Sequence, residues 1–138
     1  MKKRKTVSTF CAVLCLLLMV IPAFARASDQ LNDYWMVVSS SNNQIQVEFQ
    51  VEGTDTMDRI GCESIFVYES SGGRWVEVDH LDENDPGMSR SNTYRFTNLV
   101  SVNCEVGVRY KVVVTVFAED SAGQRDAREQ TFYVTGAA

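Results

Sequence analysis

The chain reads as an all-β protein, a single β-sandwich of about seven strands. Three observations carry that expectation. Ile45, Val47, Phe49 and Val51 alternate with Gln46, Glu48, Gln50 and Glu52, the pattern of a strand with one buried face and one wet face. Turn-forming residues recur at short intervals, at Gly72-Gly73, Pro86-Gly87 and Gly123, and separate β-branched and aromatic runs. From Ser28 onward no run keeps a helical apolar period over a useful length.

Each element follows in order. Ser28 to Asp33 is a short polar lead-in, and Tyr34 to Val38 is the expected first strand. Gln44 to Glu52 is the second and most regular. Gly53 to Gly61 reads as a connection, with Met57 and Ile60 tucked against the core edge. Ser64 to Glu69 is β-branched and aromatic, and Trp75 to Leu81 returns as its hairpin partner. Between them Ser70-Ser71-Gly72-Gly73 supplies the positive φ that a tight turn requires. Asp82 to Arg90 is polar and broken by Pro86-Gly87, hence a loop. Thr93 to Cys104 carries a strand with a kink near Asn98. Val108 to Ala118 is long and strongly β-forming, a turn follows around Gly123, and Arg128 to Thr135 closes the sheet.

Lys2-Lys3-Arg4-Lys5, the apolar stretch from Phe10 to Ile21, Pro22 and Ala23-Phe24-Ala25 follow the order of a secretory signal peptide. The apolar core is too short for a committed membrane span. Residues 1–25 are expected to be removed, or residues 1–27 if cleavage follows Ala25-Arg26-Ala27, leaving 28–138 as one domain outside the cell. Cys11 and Cys15 lack the small-residue context of a lipidated cysteine, and no apolar stretch or basic tail follows the last strand. No lipid anchor and no membrane insertion after cleavage are therefore expected. Four of the 13 basic residues lie in the signal, leaving nine against 18 acidic ones, so the mature charge is −9 rather than −5. Such a chain repels phosphate backbones and anionic lipid surfaces, which argues against nucleic acid and membrane as partners.

Little in the chain supports catalysis. His80 is the only histidine, and no nucleophile motif accompanies it. One His and two well-separated Cys lack zinc spacing, and no cofactor is expected. Asp79, Asp82, Glu83, Asn84 and Asp85 crowd one loop, and such hard oxygen donors suit calcium. Pro86 stands where an EF-hand needs its third donor, so a solvated acidic loop is the plainer reading.

Ile60 to Val78 reads I-G-C-E-S-I-F-V-Y-E-S-S-G-G-R-W-V-E-V, and this resembles the C–C′ hairpin of a fibronectin type III domain. Gly107-Val-Arg-Tyr110-Lys-Val112-Val-Val114 resembles that fold's entry into strand F. The resemblance implies an immunoglobulin/fibronectin III-like sandwich in which the Tyr110 hydroxyl ties down the preceding E–F loop. Phe49 stands where the usual strand B tryptophan would be. Thr56-Met57-Asp58, Ile60-Gly61, Ile65, Val67-Tyr68-Glu69, Trp75 and Val114-Thr115-Val116 with Ala118 also resemble an uncharacterised family of small exported proteins of Gram-positive bacteria. That resemblance implies no activity.

Cys62 and Cys104 are the only cysteines after the signal. A disulfide closing this loop of about 40 residues would contribute up to about 4 kcal/mol in chain-entropy terms. The fold implied by the resemblance places the two at opposite ends of the sandwich, where they would stay unbonded as small buried hydrophobes. Both readings stand at this point.

On the expected strand F, Tyr110, Val112, Val114 and Val116 share one parity and should face the core; Arg109, Lys111, Val113, Thr115 and Phe117 share the other. If Ile65 and Val67 point inward, Phe66 and Tyr68 point outward, and Tyr133 joins them from the last strand. Phe66, Tyr68, Val113, Phe117 and Tyr133 thus form the expected binding face, an aromatic patch suited to a partner or glycan. The same side chains would serve equally as an aromatic ladder that stabilises the sheet. The function expected is that of a secreted, non-catalytic binding module engaging an extracellular protein or polysaccharide, including the cell wall. A self-associating structural protein forming homo-oligomers is the alternative, and a hydrolase or inhibitor comes third.

Overall fold

The computed structural model describes residues 29–138; the expected signal peptide and its cleavage sites lie outside the described residues. Six antiparallel strands and no helix make up the described residues: β1 (Leu31–Ser41), β2 (Gln44–Ser71), β3 (Arg74–Asp82), β4 (Ser89–Asn103), β5 (Arg109–Glu119) and β6 (Arg125–Thr135). Two expected strands and the connection between them are one continuous strand, β2, which is 28 residues long.

β2 organises the molecule by changing partners on both edges. Its first part, Gln44 to Glu52, pairs with β1 on one edge and with Arg95–Asn103 of β4 on the other. The β4 ladder then shifts register and continues from Met57 to Gly61. From Arg59 to Glu69 the edge that β1 occupied belongs to β5, and from Ser64 to Ser71 the edge that β4 occupied belongs to β3. β6 extends the second arm by pairing with β5. The result is two arms, β1–β2–β4 and β3–β2–β5–β6, an arrangement compatible with a β-sandwich.

The inward parities of both arms meet in one core. Ile45, Val47, Phe49 and Val51 come from the first part of β2, Ile65 and Val67 from the second, and Val112, Val114 and Val116 from β5. All are essentially inaccessible to water. Phe96 packs edge-on against Phe49, with ring centroids 5.8 Å apart. Burying residues of this size contributes roughly 1.5–3 kcal/mol each.

Local chemistry explains the joints. The β2–β3 turn is the two-residue Gly72-Gly73 loop, both residues at positive φ, as a tight hairpin requires. Asn42 and Asn43 form the β1–β2 turn in the same left-handed region. Gly61 lies where the chain entering β4 presses on β2. A Cβ there would stand 2.3 Å from the Met88 carbonyl oxygen and 2.7 Å from Ser89 Cα, at a φ of +149°. The Cys62 N–H donates to that Met88 oxygen at 2.7 Å, which holds the two backbones together. At the other pole the Glu105 N–H donates to the Tyr110 hydroxyl at 2.8 Å, the tie expected of that tyrosine. The expected kink near Asn98 is absent: Asn98 pairs in register with Phe49, and the ladder breaks nearer the start of β4, where Asn92 takes a φ of 54°.

Gly61→Ala is expected to cost about 2–4 kcal/mol, because strain at positive φ adds to overpacking against backbone that cannot rotate away. Urea denaturation should show the midpoint falling at an unchanged slope.

Candidate binding face

The side of β3–β2–β5–β6 turned away from the core carries most of the residues that the parity argument singled out. Opposed residues in an antiparallel ladder share a face. Tyr68 is opposite Lys111, and Lys111 is opposite Tyr133; Phe66 is opposite Val113. Phe66, Tyr68, Val113 and Tyr133 therefore gather on one surface. β3 adds Trp75 opposite Ser70, Glu77 opposite Tyr68, and His80 opposite Phe66.

These side chains contact one another. Trp75 reaches over β2 and β5 to Tyr133, with ring centroids 5.7 Å apart and planes inclined at 46°. Lys111 Nζ sits 4.5 Å from the Tyr68 centroid and 5.6 Å from that of Trp75. Arg109 Cζ lies 5.7 Å over Tyr133. Phe66 stacks on the exposed His80 ring at 4.1 Å. Tyr133 remains 55% exposed and Trp75 37%, so the rings are held in place yet open to solvent. Each cation–ring contact contributes roughly 0.5–1 kcal/mol at such sites.

Phe117 departs from expectation. It has the outward parity, opposite Gly61 and Ala127, but is fully buried. The cover is Arg125, whose guanidinium lies 4.0 Å from the ring centroid. Glu83 grips Arg125 through two hydrogen bonds of 2.9 and 3.1 Å, Glu119 accepts at 2.6 Å, and Glu63 at 3.1 Å. Burial disfavours the charge on Arg125, but the hydrogen bonds to Glu83 and Glu119 outweigh it and raise its pKa above the ordinary arginine value. Glu83 also pairs with Arg59 at 3.1 Å, fastening the β3–β4 loop over this end of the sheet. Phe117 is thus a packed residue under an ionic lid, and the open part of the face lies at the Trp75–Tyr133 end.

In the acidic loop each candidate residue offers an oxygen to a donor within the protein. Asp82 accepts from the Asn84 N–H at 2.7 Å, Asp85 from the Asp82 N–H at 2.8 Å, and Asp79 from the His80 N–H at 2.8 Å. Asn84 Oδ1 accepts from Arg59, and Glu83 belongs to the lid. These oxygens turn toward different donors, and among the described residues no group of three or more His, Cys, Asp or Glu is placed to hold a metal.

Cys62 and Cys104 are both free thiols. Cys62 pairs with Val116 on β5, whereas Cys104 borders a cleft that it shares with Tyr110. Those two β5 positions are about 20 Å apart along a strand, well beyond disulfide reach. The disulfide reading is therefore replaced by two separate thiols. Burial pushes the Cys62 thiol up to about 12, against hydrogen bonds to the Ser64 and Thr115 carbonyls. Cys104 is half-buried beside an open cleft of about 400 Å³ that also carries Glu69, Asp79 and Glu105.

Comparison with family models finds no match, and comparison with curated proteins finds none either.

The parity argument did not select Trp75, His80, Arg109 or Lys111 as site residues. The signal for Trp75 was present, since a two-residue Gly72-Gly73 turn aligns it with Ser70, which shares the parity of Tyr68.

Two outcomes follow from these environments. Phe117→Ser should cost about 3–5 kcal/mol, whereas Tyr133→Ser should cost less than about 1 kcal/mol, as thermal denaturation will measure. Iodoacetamide at pH 8 should label Cys104 and spare Cys62 until the protein is unfolded. Since the folded Cys62 pKa lies above its unfolded value near 9, the unfolded state loses its proton first. Cys62 therefore makes stability fall as pH rises from about 9 toward about 12, a trend that Cys62→Ala should remove.

Proposed function

We propose that this protein is a secreted, non-catalytic binding module of immunoglobulin/fibronectin III-like type, which engages an extracellular polysaccharide or protein through its Trp75–Tyr133 face. The observation that carries the reading is the pair of exposed rings fixed on a paired sheet and braced by Lys111 and Arg109. Broad ring faces match the C–H faces of sugars and the apolar faces of side chains, and rings already ordered lose little entropy on binding. The fold assignment is supported by the neighbouring order of β2, β5 and β6, which parallels strands C, F and G, and by the Tyr110 tie. Export rests on the signal-like order of residues 1–25.

Self-association is the second reading, favoured by β3. Among the described residues that strand pairs only with β2, and it exposes Val76 (46%) and Val78 (47%) along an open edge. The bulge between Val67 and Tyr68, with Glu77 and Asp79 on the strand, opposes edge-to-edge pairing, so a monomer is expected. A dimer that survives dilution in light scattering would replace the first reading with this one.

Residues 28–138 should co-sediment with insoluble polysaccharide or host cell wall. The double variant Trp75→Ala/Tyr133→Ala should lose that retention while its melting temperature moves by less than about 5 °C. Retention unaffected by both substitutions would overturn the reading.

A further inference from the structure

The cations at the open end of the face lie over aromatic rings, as Arg90 does over Phe96 elsewhere in the molecule. Arg59, Arg95 and Arg125 each form salt bridges with carboxylates. Arg109 and Lys111 form no salt bridge among the described residues and lie over the rings of Tyr133, Tyr68 and Trp75. A ring face holds a cation in place without neutralising it and without occupying its N–H donors. A neutral saccharide would use the rings and leave these charges idle. An anion beside the rings would accept charge-assisted hydrogen bonds from them.

The remainder of the chain restricts what that anion can belong to. Eighteen acidic residues against nine basic ones after the signal repel a densely charged polymer, and Asp82 and Glu129 occupy the same face farther along, opposite or beside Ser64 and Thr115. Glu77, opposite Tyr68, borders the platform itself. We infer that the face recognises a polysaccharide bearing spaced carboxylates, of uronic-acid type, its sugar rings on Trp75 and Tyr133 and a carboxylate at Arg109 and Lys111. This rests on the binding-module reading and adds the charge of its ligand.

The test compares one polymer with and without its charges: partly de-esterified polygalacturonate against the fully methyl-esterified form, by calorimetry on the exported chain. At low ionic strength the de-esterified polymer should bind about ten-fold more tightly, and the difference should collapse in about 0.5 M salt. Arg109→Ala/Lys111→Ala should remove the preference, and Glu77→Gln should widen it. Dextran sulfate bound equally by wild type and by Trp75→Ala would indicate unspecific charge attraction and overturn the inference. Equal, salt-independent binding of both polygalacturonate forms would overturn it while leaving the platform standing. Binding of neither form, with retention on insoluble polysaccharide intact, would remove the carboxylate alone. Failure of every polysaccharide would overturn the inference and remove the polysaccharide half of the underlying reading with it.

Discussion

One strand has to serve two arms of the sheet, and most of the structure follows from that constraint. Between Gly53 and Ser64, β2 releases β1 and β4 and takes up β5 and β3, so its backbone must change direction without losing its ladder. The bulges on either side of this segment and the bare Cα of Gly61 are the local means. The Met88 carbonyl fills the space a side chain would take at Gly61, and its hydrogen bond from Cys62 anchors the loop that returns toward β4. Because that loop is anchored, Glu83 is in position to hold Arg125 over Phe117.

The outer face consequently has two halves built from similar parts. In both, a cation lies over an aromatic ring on β5 or a neighbouring strand. At the Phe117 end three carboxylates surround the cation, which satisfies its charge and closes the surface. At the Tyr133 end the rings of Trp75 and Tyr133 remain 37% and 55% exposed. Buried charge is tolerated only when its partners are close, and the first half meets that condition with four hydrogen bonds from one guanidinium to carboxylates. The second half has cations in partial contact with water, where a ligand can compete for them. A closed half and an open half are thereby separated along a single sheet.

How much of this was legible in the chain depended on the range of the interaction concerned. Alternation placed Ile45 to Val51, Ile65, Val67 and the Tyr110 parity in the core, because side-chain direction in a strand is set by its own neighbours. The same rule turned Phe66, Tyr68, Val113 and Tyr133 outward together. It placed Phe117 on the correct side and misjudged its exposure, since the covering Arg125 is held there by Glu83, from a loop more than thirty residues away in sequence. The continuity of β2 was hidden because Gly53, Thr54 and Asp55 resemble a turn. Thr54 is held by the lead-in, its N–H donating to the Gln30 carbonyl at 2.9 Å and its hydroxyl to that of Asp29 at 2.8 Å, contacts that local propensity does not register. The acidic loop read most plainly as a solvated one, and what its density of carboxylates did not reveal is that backbone N–H groups and two arginines engage those oxygens.

The partner changes along β2 also bear on how the chain reaches this state. Each part gains one edge through a local hairpin, with β1 or β3, but the other edge of the first part must wait for β4 and that of the second for β5, roughly fifty residues later. High contact order of this kind places folding in the millisecond-to-second range, with strand edges left unsatisfied in the interval. Gln46, Glu48, Gln50 and Glu52 then have a kinetic use before they have a structural one. A polar residue at every second position keeps the waiting strand soluble and discourages it from pairing with another chain before its own arrives.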